Sequence, residues 1–242
     1  MFGKYISHSS RLLNRVLPHH CPICDCETSH YGLCAACWSG LSFITAPICL
    51  RCGRPVFATA GTDLCVPCLH DPPLLQKQRA LLRYDEGSKA LILPFKHASR
   101  LDLTPLLAQI MLARFQELVS DEHLIMPVPL HITRRLYRSY NQSAELARNL
   151  CALSDRRGQF DPLMCYRRKA TRPLGKHNAK VRAKILKGAF AIRPKRLSSL
   201  KGRKILIIDD VRTTGYTTTE MARTLLQAGA TQVDSLTLAR IL

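Results

Sequence analysis

The sequence predicts an α/β fold, a mostly parallel sheet flanked by helices, preceded by a small cysteine-rich module. Three observations carry that expectation. From Gln78 onward, short apolar runs alternate with segments of helical period, the pattern of strands joined by helical crossovers. Nine of the 11 cysteines fall between Cys21 and Cys68, in a segment with few large apolar residues. Between these regions Asp71-Pro72-Pro73 forms a stiff, non-helical joint, which puts a domain boundary near residue 75 and divides the chain into 1–75 and 76–242. With 46% hydrophobic and 22% charged residues the chain has a globular composition, far from that of intrinsic disorder.

Eight of the clustered cysteines form four CxxC pairs: Cys21/Cys24, Cys34/Cys37, Cys49/Cys52 and Cys65/Cys68. Two thiolates three positions apart on a tight turn converge on one tetrahedral ion, and two such turns complete a closed four-cysteine zinc site. Four turns therefore predict two Zn2+ sites. Sequential pairing and a cross-braced arrangement both satisfy the spacing, although spacers of nine and twelve residues suit two successive ribbons. Cys26 belongs to neither set. So small a segment cannot build a sufficient core, and metal binding supplies its folding energy, so the zinc is structural.

In the second region, Thr104-Pro105 reads as an N-cap and first helical position, with Leu106, Leu107, Ile110, Met111 and Leu118 on the buried side. Leu124 to Val128 reads as a buried strand that stops at a loop, HITRRLYRSYNQ. Asn141 or Ser143 then starts a helix through Leu146 and Leu150, placing this basic loop between a strand end and a helix start, where open α/β sheets bind ligands. Lys204 to Ile208 is a second apolar strand, Thr217 to Ala228 the helix after it, closed by Gly229, and Gln232 to Ala239 a further strand.

The segment from Lys204 to Thr217, KILIIDDVRTTGYT, carries the most chemistry. Asp209 and Asp210 follow the apolar strand, and Val211 to Gly215 lead into a helix whose free N–H groups make an anion cradle. Arg212 lies within that turn; Thr213, Thr214 and Thr217 add hydroxyl donors, and Gly215 lets the backbone close around a phosphate. Carboxylates repel a bare phosphate, so they suit a ligand that also offers hydroxyls or a metal; a ribose 5-phosphate offers the hydroxyls.

These residues resemble the phosphoribosyl pyrophosphate (PRPP) motif of type I phosphoribosyltransferases, and the resemblance implies that the acidic pair holds the ribose hydroxyls and the turn the 5′-phosphate. Across nearly the whole chain the order of motifs resembles the ComF family of competence and DNA-uptake proteins, also called GntX-like. It rests on the paired CxxC ribbons, Lys96, VPLHITRRLYRSYNQSAELA from Val128 to Ala147, Arg182 with Gly188-Ala189-Phe190, and the PRPP turn. The resemblance implies a type I phosphoribosyltransferase-like sheet, with Arg134, Arg135, Arg138, Asn141, Gln142 and Lys96 around the pyrophosphate. Arginine forks at a strand end suit phosphate oxygens on physical grounds as well. Thr213 stands where purine phosphoribosyltransferases place an aspartate base, which disfavours purine salvage.

The net charge of +19 is concentrated: residues 151–204 hold 17 basic and 2 acidic residues. Such a block is a surface for polyanions or a solvated basic face. With the competence resemblance, the expected partner is single-stranded DNA, contacted by Arg167, Arg168, Lys169, Arg172, Lys176, Lys180, Arg182, Lys184 and Lys187. The amino terminus lacks the apolar run of a secretory signal, which implies a cytoplasmic protein. Arg11 to Leu17 reads as one or two turns of basic amphipathic helix that pack onto the neighbouring module, with the inner face of the membrane as the alternative. The uncharged stretch Tyr31 to Leu50 contains Gly40, Pro47 and three cysteines and is not a membrane span. Three functions fit: a DNA-uptake factor with a PRPP site, an active Mg2+-dependent transferase with an unidentified acceptor, and a docking adapter, through the ribbons, for other DNA-uptake proteins.

Overall fold

The computed structural model describes residues 18–56, 63–97, 100–119, 122–130, 140–155, 159–169 and 179–242. The basic segment Arg11 to Leu17 lies outside them, as do Arg134, Arg135, Arg138, Arg172 and Lys176.

The amino-terminal module has two small ribbons. The first contains the hairpin β1 (His19–His20) and β2 (Glu27–Thr28) and the short helix α1 (Ala35–Ser39); the second ends in α2 (Val66–His70). Cysteines begin both helices: Cys34 caps α1, its sulfur accepting from the Cys37 N–H at 3.4 Å, and Cys65 stands at the cap of α2. The uncharged stretch Tyr31 to Leu50 is thus ribbon and linker, and among the described residues no helix is long and apolar enough to cross a membrane.

The larger unit is a four-stranded parallel sheet in the order β3 (Gln78–Arg83), β8 (Gln232–Arg240), β7 (Lys204–Arg212), β4 (His123–Pro127). The central strands are apolar on both faces, as a sheet covered twice requires. One face, with Leu206, Ile208, Leu236 and Leu238, is packed by α3 (Glu86–His97), α4 (Leu103–Phe115) and α5 (Gln142–Leu153). The other, with Ile205, Ile207 and Val233, is packed by α8 (Tyr216–Gln227) and by the antiparallel pair β5 (Cys165–Arg167) and β6 (Phe190–Ile192), which bracket α6 (Ala179–Leu186). A short helix, α7 (Leu197–Leu200), leads into β7.

Both sheet edges are covered. Along β3, the Ile44 N–H donates to Leu81 O at 3.0 Å, the Arg83 N–H donates to Ser42 O at 2.9 Å, and Phe43 bridges Leu82 in antiparallel sense. Along β4, the Asp161 N–H donates to Ile125 O at 3.0 Å and Phe160 forms a parallel bridge to Ile125. The linker between the two ribbons is therefore a partner of the sheet.

Two boundaries differ from the sequence expectation. Helix α4 begins at Leu103, two residues earlier than Thr104-Pro105 implies, with Asp102 at the cap position, its carboxylate held by Arg100 at 2.8 Å, and Thr104 buried inside. Strand β7 runs through the acidic pair to Arg212, because β8 continues to pair with it as far as Arg240, whereas β4 stops at Pro127 opposite Ile208. Asp209 and Asp210 are strand residues that project past the end of their neighbour.

Candidate functional site

Four element ends meet where β7 outruns β4. Strand β7 brings Asp209 and Asp210, the carboxyl end of α3 brings Lys96, the amino end of α5 brings Ser143, and the amino end of α8 brings the phosphate-type turn. Asn141 caps α5 by accepting from the Ser143 N–H at 3.1 Å, which orients the first turn of that helix. Tyr140 donates its hydroxyl to Phe95 O at 2.7 Å and Gln142 donates its amide to Lys96 O at 2.8 Å, tying α5 to α3.

The acidic pair is held from both sides. Asp209 Oδ1 accepts from Ser143 Oγ at 3.1 Å and from the Asp210 N–H at 2.9 Å. Asp210 Oδ1 accepts from the Val211 N–H at 2.6 Å, and its Oδ2 lies 3.0 Å from Lys96 Nζ. Burial, and next the neighbouring Asp210 charge, push the Asp209 carboxyl up to about 7, against the opposing pull of the Asp210 N–H, Lys96 and Ser143. Two adjacent carboxylates thus differ in role: Asp210 is paired with a cation, while Asp209 titrates near neutrality.

After Arg212 the chain turns through Thr213 and Thr214, both exposed, to Gly215 at φ +79°, the left-handed cap of α8. Only glycine adopts this angle without strain. The Gly215 carbonyl accepts from the Thr219 N–H and the Thr218 hydroxyl, each at 2.9 Å. The resulting depression of 20 Å³ is lined by Asp209, Val211, Arg212, Thr213, Gly215, Thr217 and Thr218. It admits one oxygen-sized group at its base, where the first-turn N–H groups of a helix favour an anion.

Some predicted residues serve this site indirectly. Asn141 donates its amide to Val128 O at 3.0 Å and Gln142 is buried against Lys96 O, so both shape the start of α5. Arg212 forms part of the wall of the depression, but its Nη1 donates to Cys52 O in the second ribbon at 3.1 Å. Arg240 donates to the same carbonyl, and burial, then the charge of Arg240, lowers Arg212 to about 10. Ser143, Tyr140 and the Cys52 carbonyl are partners that sequence reading missed, since each acts on a residue far away in the chain.

The eight ribbon cysteines form two groups, Cys21, Cys24, Cys34 and Cys37, and Cys49, Cys52, Cys65 and Cys68, with ligand atoms in each group within 4.8 Å of one another. The pairing is sequential, and the cross-braced alternative is excluded. Four convergent sulfurs are the donor set of a closed structural Zn2+ site. The second knuckle lies against the sheet: the Gln78 N–H donates to Arg51 O at 2.8 Å, and a Cβ on Gly53, at φ +66°, would stand 2.2 Å from Gln78 O.

Part of the basic block is drawn together at the carboxyl end of α6. Arg168 Nε donates to Gly188 O at 2.8 Å and Lys169 Nζ to Lys187 O at 2.7 Å, so both close the carboxyl end of α6; Arg167 lies over the Phe190 ring at 5.6 Å. Lys180, Arg182 and Lys184 fall on α6, with Lys184 exposed and Lys187 exposed just after it. Gly188 is fastened further by its N–H donating to the buried Glu220 of α8 at 2.6 Å.

Residues 12–69 match the family described as Double zinc ribbon domain, and residues 108–240 the family described as Phosphoribosyl transferase domain. The DNA utilization protein YhgH of Escherichia coli is 30% identical over 233 residues, covering 93% of this chain and 99% of the relative. The competence protein ComFC of Bacillus subtilis is 29% identical over 220 residues (86% of this chain, 84% of the relative), and competence protein F of Haemophilus influenzae 28% identical over 214 residues (86% and 90%). With both domains matched in this order and relatives aligned almost end to end, the chain belongs to the ComF-like family, in which a double zinc ribbon precedes a phosphoribosyltransferase domain.

Proposed function

We propose that this chain is a competence-related factor that handles incoming single-stranded DNA in the cytosol and binds PRPP or a related phosphoribosyl group. The observation that carries the ligand assignment is the acidic pair beyond the end of β4, held by Ser143 and Lys96 beside a left-handed glycine turn at a helix start. One phosphate oxygen enters the depression at the turn and the ribose hydroxyls donate to Asp209 and Asp210. Mg2+ accompanies the pyrophosphate, since it is a hard cation that takes phosphate oxygens with one or two carboxylates. The ribbons of 1–75 are a structural module for the 76–242 domain, with their outer faces available to other DNA-uptake proteins. The relatives' names support the DNA-related role.

Isothermal titration with PRPP and Mg2+ tests the reading. Wild type should bind, and the Asp209→Ala, Asp210→Ala double mutant should not, with the fold retained because both side chains project at a strand end. Unchanged affinity in the double mutant removes the site. Pyrophosphate release during titration would favour a transferase over a binding factor, with the loop arginines and Mg2+ stabilising the departing charge.

A further inference from the structure

Beside the strand-end site, two depressions of 310 and 290 Å³ meet at Pro162 and Leu163 and follow the outer edge of β4 from Leu124 to Pro129. This edge does not invite an added peptide strand, because the Phe160–Asp161 segment already pairs with Ile125. What the groove offers is guanidinium and ring. Arg148, Arg193, Arg196 and Arg203 line it. Glu145 holds Arg148 at 3.0 Å, Asp161 lies 3.5 Å from Arg196, the Gln159 amide oxygen accepts from Arg203, and Arg193 lies over the Tyr166 ring at 5.4 Å. Each anchor engages part of a five-donor fork and fixes its direction, leaving further N–H groups for a ligand. Four arginines face two carboxylates, so the groove is positive. Tyr166 and Leu163 remain 37% and 47% exposed within it.

We propose that this groove binds single-stranded nucleic acid, with phosphates on the arginines and bases against Tyr166 and Leu163; the assignment rests on the DNA-handling reading above. A positive groove with an aromatic platform is the usual construction for strand binding without sequence preference. A free phosphate needs neither the ring nor the length. Leu124 to Pro129 spans about 17 Å, the length of about five stacked nucleotides. The groove opens beside Pro127, which pairs with Ile208, the residue before the acidic pair, so a bound strand ends near the proposed phosphoribosyl site. This places the strand on a different surface from the 167–187 block, where Arg168 and Lys169 are already committed to α6 carbonyls.

The test is fluorescence anisotropy of full-length, zinc-loaded protein with labelled oligothymidylate across a salt series. Arg148→Ala with Arg193→Ala should weaken binding about tenfold at low salt and flatten the log–log salt slope by about 1.4, or 0.7 for each lost phosphate. Tyr166→Ala should weaken binding about fivefold or more through lost stacking, and Tyr166→Phe should restore it. Lys184→Ala with Lys187→Ala should stay within about twofold of wild type. Ultraviolet crosslinking of the wild type, which needs no variant to fold, should join thymine to Tyr166. Wild-type binding that survives the groove substitutions, or crosslinks on α6, overturns the groove and leaves the DNA reading standing. Equal affinity for a duplex of the same length also overturns it. Absence of strand binding at low salt overturns the groove and the DNA reading together.

Discussion

Replacing Gly215 by alanine tests whether the phosphate-type turn and the second zinc knuckle form one mechanical unit. Gly215 sits at φ +79°, where an L residue costs about 1–2 kcal/mol. The new Cβ would stand 2.9 Å from Arg212 Nε and 3.1 Å from Nη2, so the guanidinium has to move. That guanidinium donates to Cys52 O, and a hydrogen bond from a charged group contributes about 1.5–3 kcal/mol. Gly215→Ala should therefore destabilise the protein by about 2.5–5 kcal/mol, and Arg212→Ala alone by about 1.5–3 kcal/mol. In the double mutant the methyl has room, so adding Gly215→Ala to Arg212→Ala should cost only the backbone penalty. The cycle should show a coupling of about 1.5–3 kcal/mol, read by urea unfolding of the zinc-loaded protein followed by circular dichroism. Effects that add to within about 0.5 kcal/mol refute the link between turn and knuckle.

Asp209 should impose a pH dependence with a definite sign. Its native value of about 7 lies above the ordinary 3.8, so the native state holds the extra proton between these values, and this group's contribution to stability falls as pH rises through that window and is level above it. PRPP affinity should run the other way, rising from pH about 6 to about 8 as Asp209 becomes acceptor-only, with Asp209→Asn weakening and levelling the titration profile. Elemental analysis should find two zinc ions per chain, since two closed four-sulfur groups are formed; one zinc with four reactive thiols would count against the second site. Asp234 is fully buried and accepts from the Lys77 N–H at 2.7 Å, Gln232 at 2.7 Å and His123 at 2.9 Å. Asp234→Ala removes the shared acceptor of all three bonds and should lose about 3–5 kcal/mol in urea unfolding.

The apolar strands, the CxxC turns and the glycine of the α8 cap were legible because each is a local pattern. Sequence left two zinc pairings open, since both satisfy the spacing, and the choice needed the fold of the linker. The capping chemistry expected of Thr104-Pro105 is not used: Thr104 lies buried inside the helix, and Asp102 at the cap position makes no side-chain cap bond, its carboxylate being held by Arg100 two residues before it. At the site, Asp209 and Asp210 were visible but their partners were not. Ser143 read as a possible cap, and its bond to Asp209 joins residues 66 positions apart. Arg212 sits inside the turn proposed to bind phosphate, yet it also reaches a carbonyl 160 positions earlier, a contact with no local signature.

The pairing of Ser42 to Ile44 with β3 gives the metal a duty beyond its own ribbons. Cys37 and Cys49 bracket that linker, one at each zinc group, so the ions anchor both ends of the segment lying along β3. If the ions are stripped, the linker loses those anchors and β3 presents a bare row of amide and carbonyl groups, a template on which another chain can assemble. Chelation should then drive new self-association before the parallel sheet melts, and light scattering should rise ahead of any loss of far-ultraviolet dichroism.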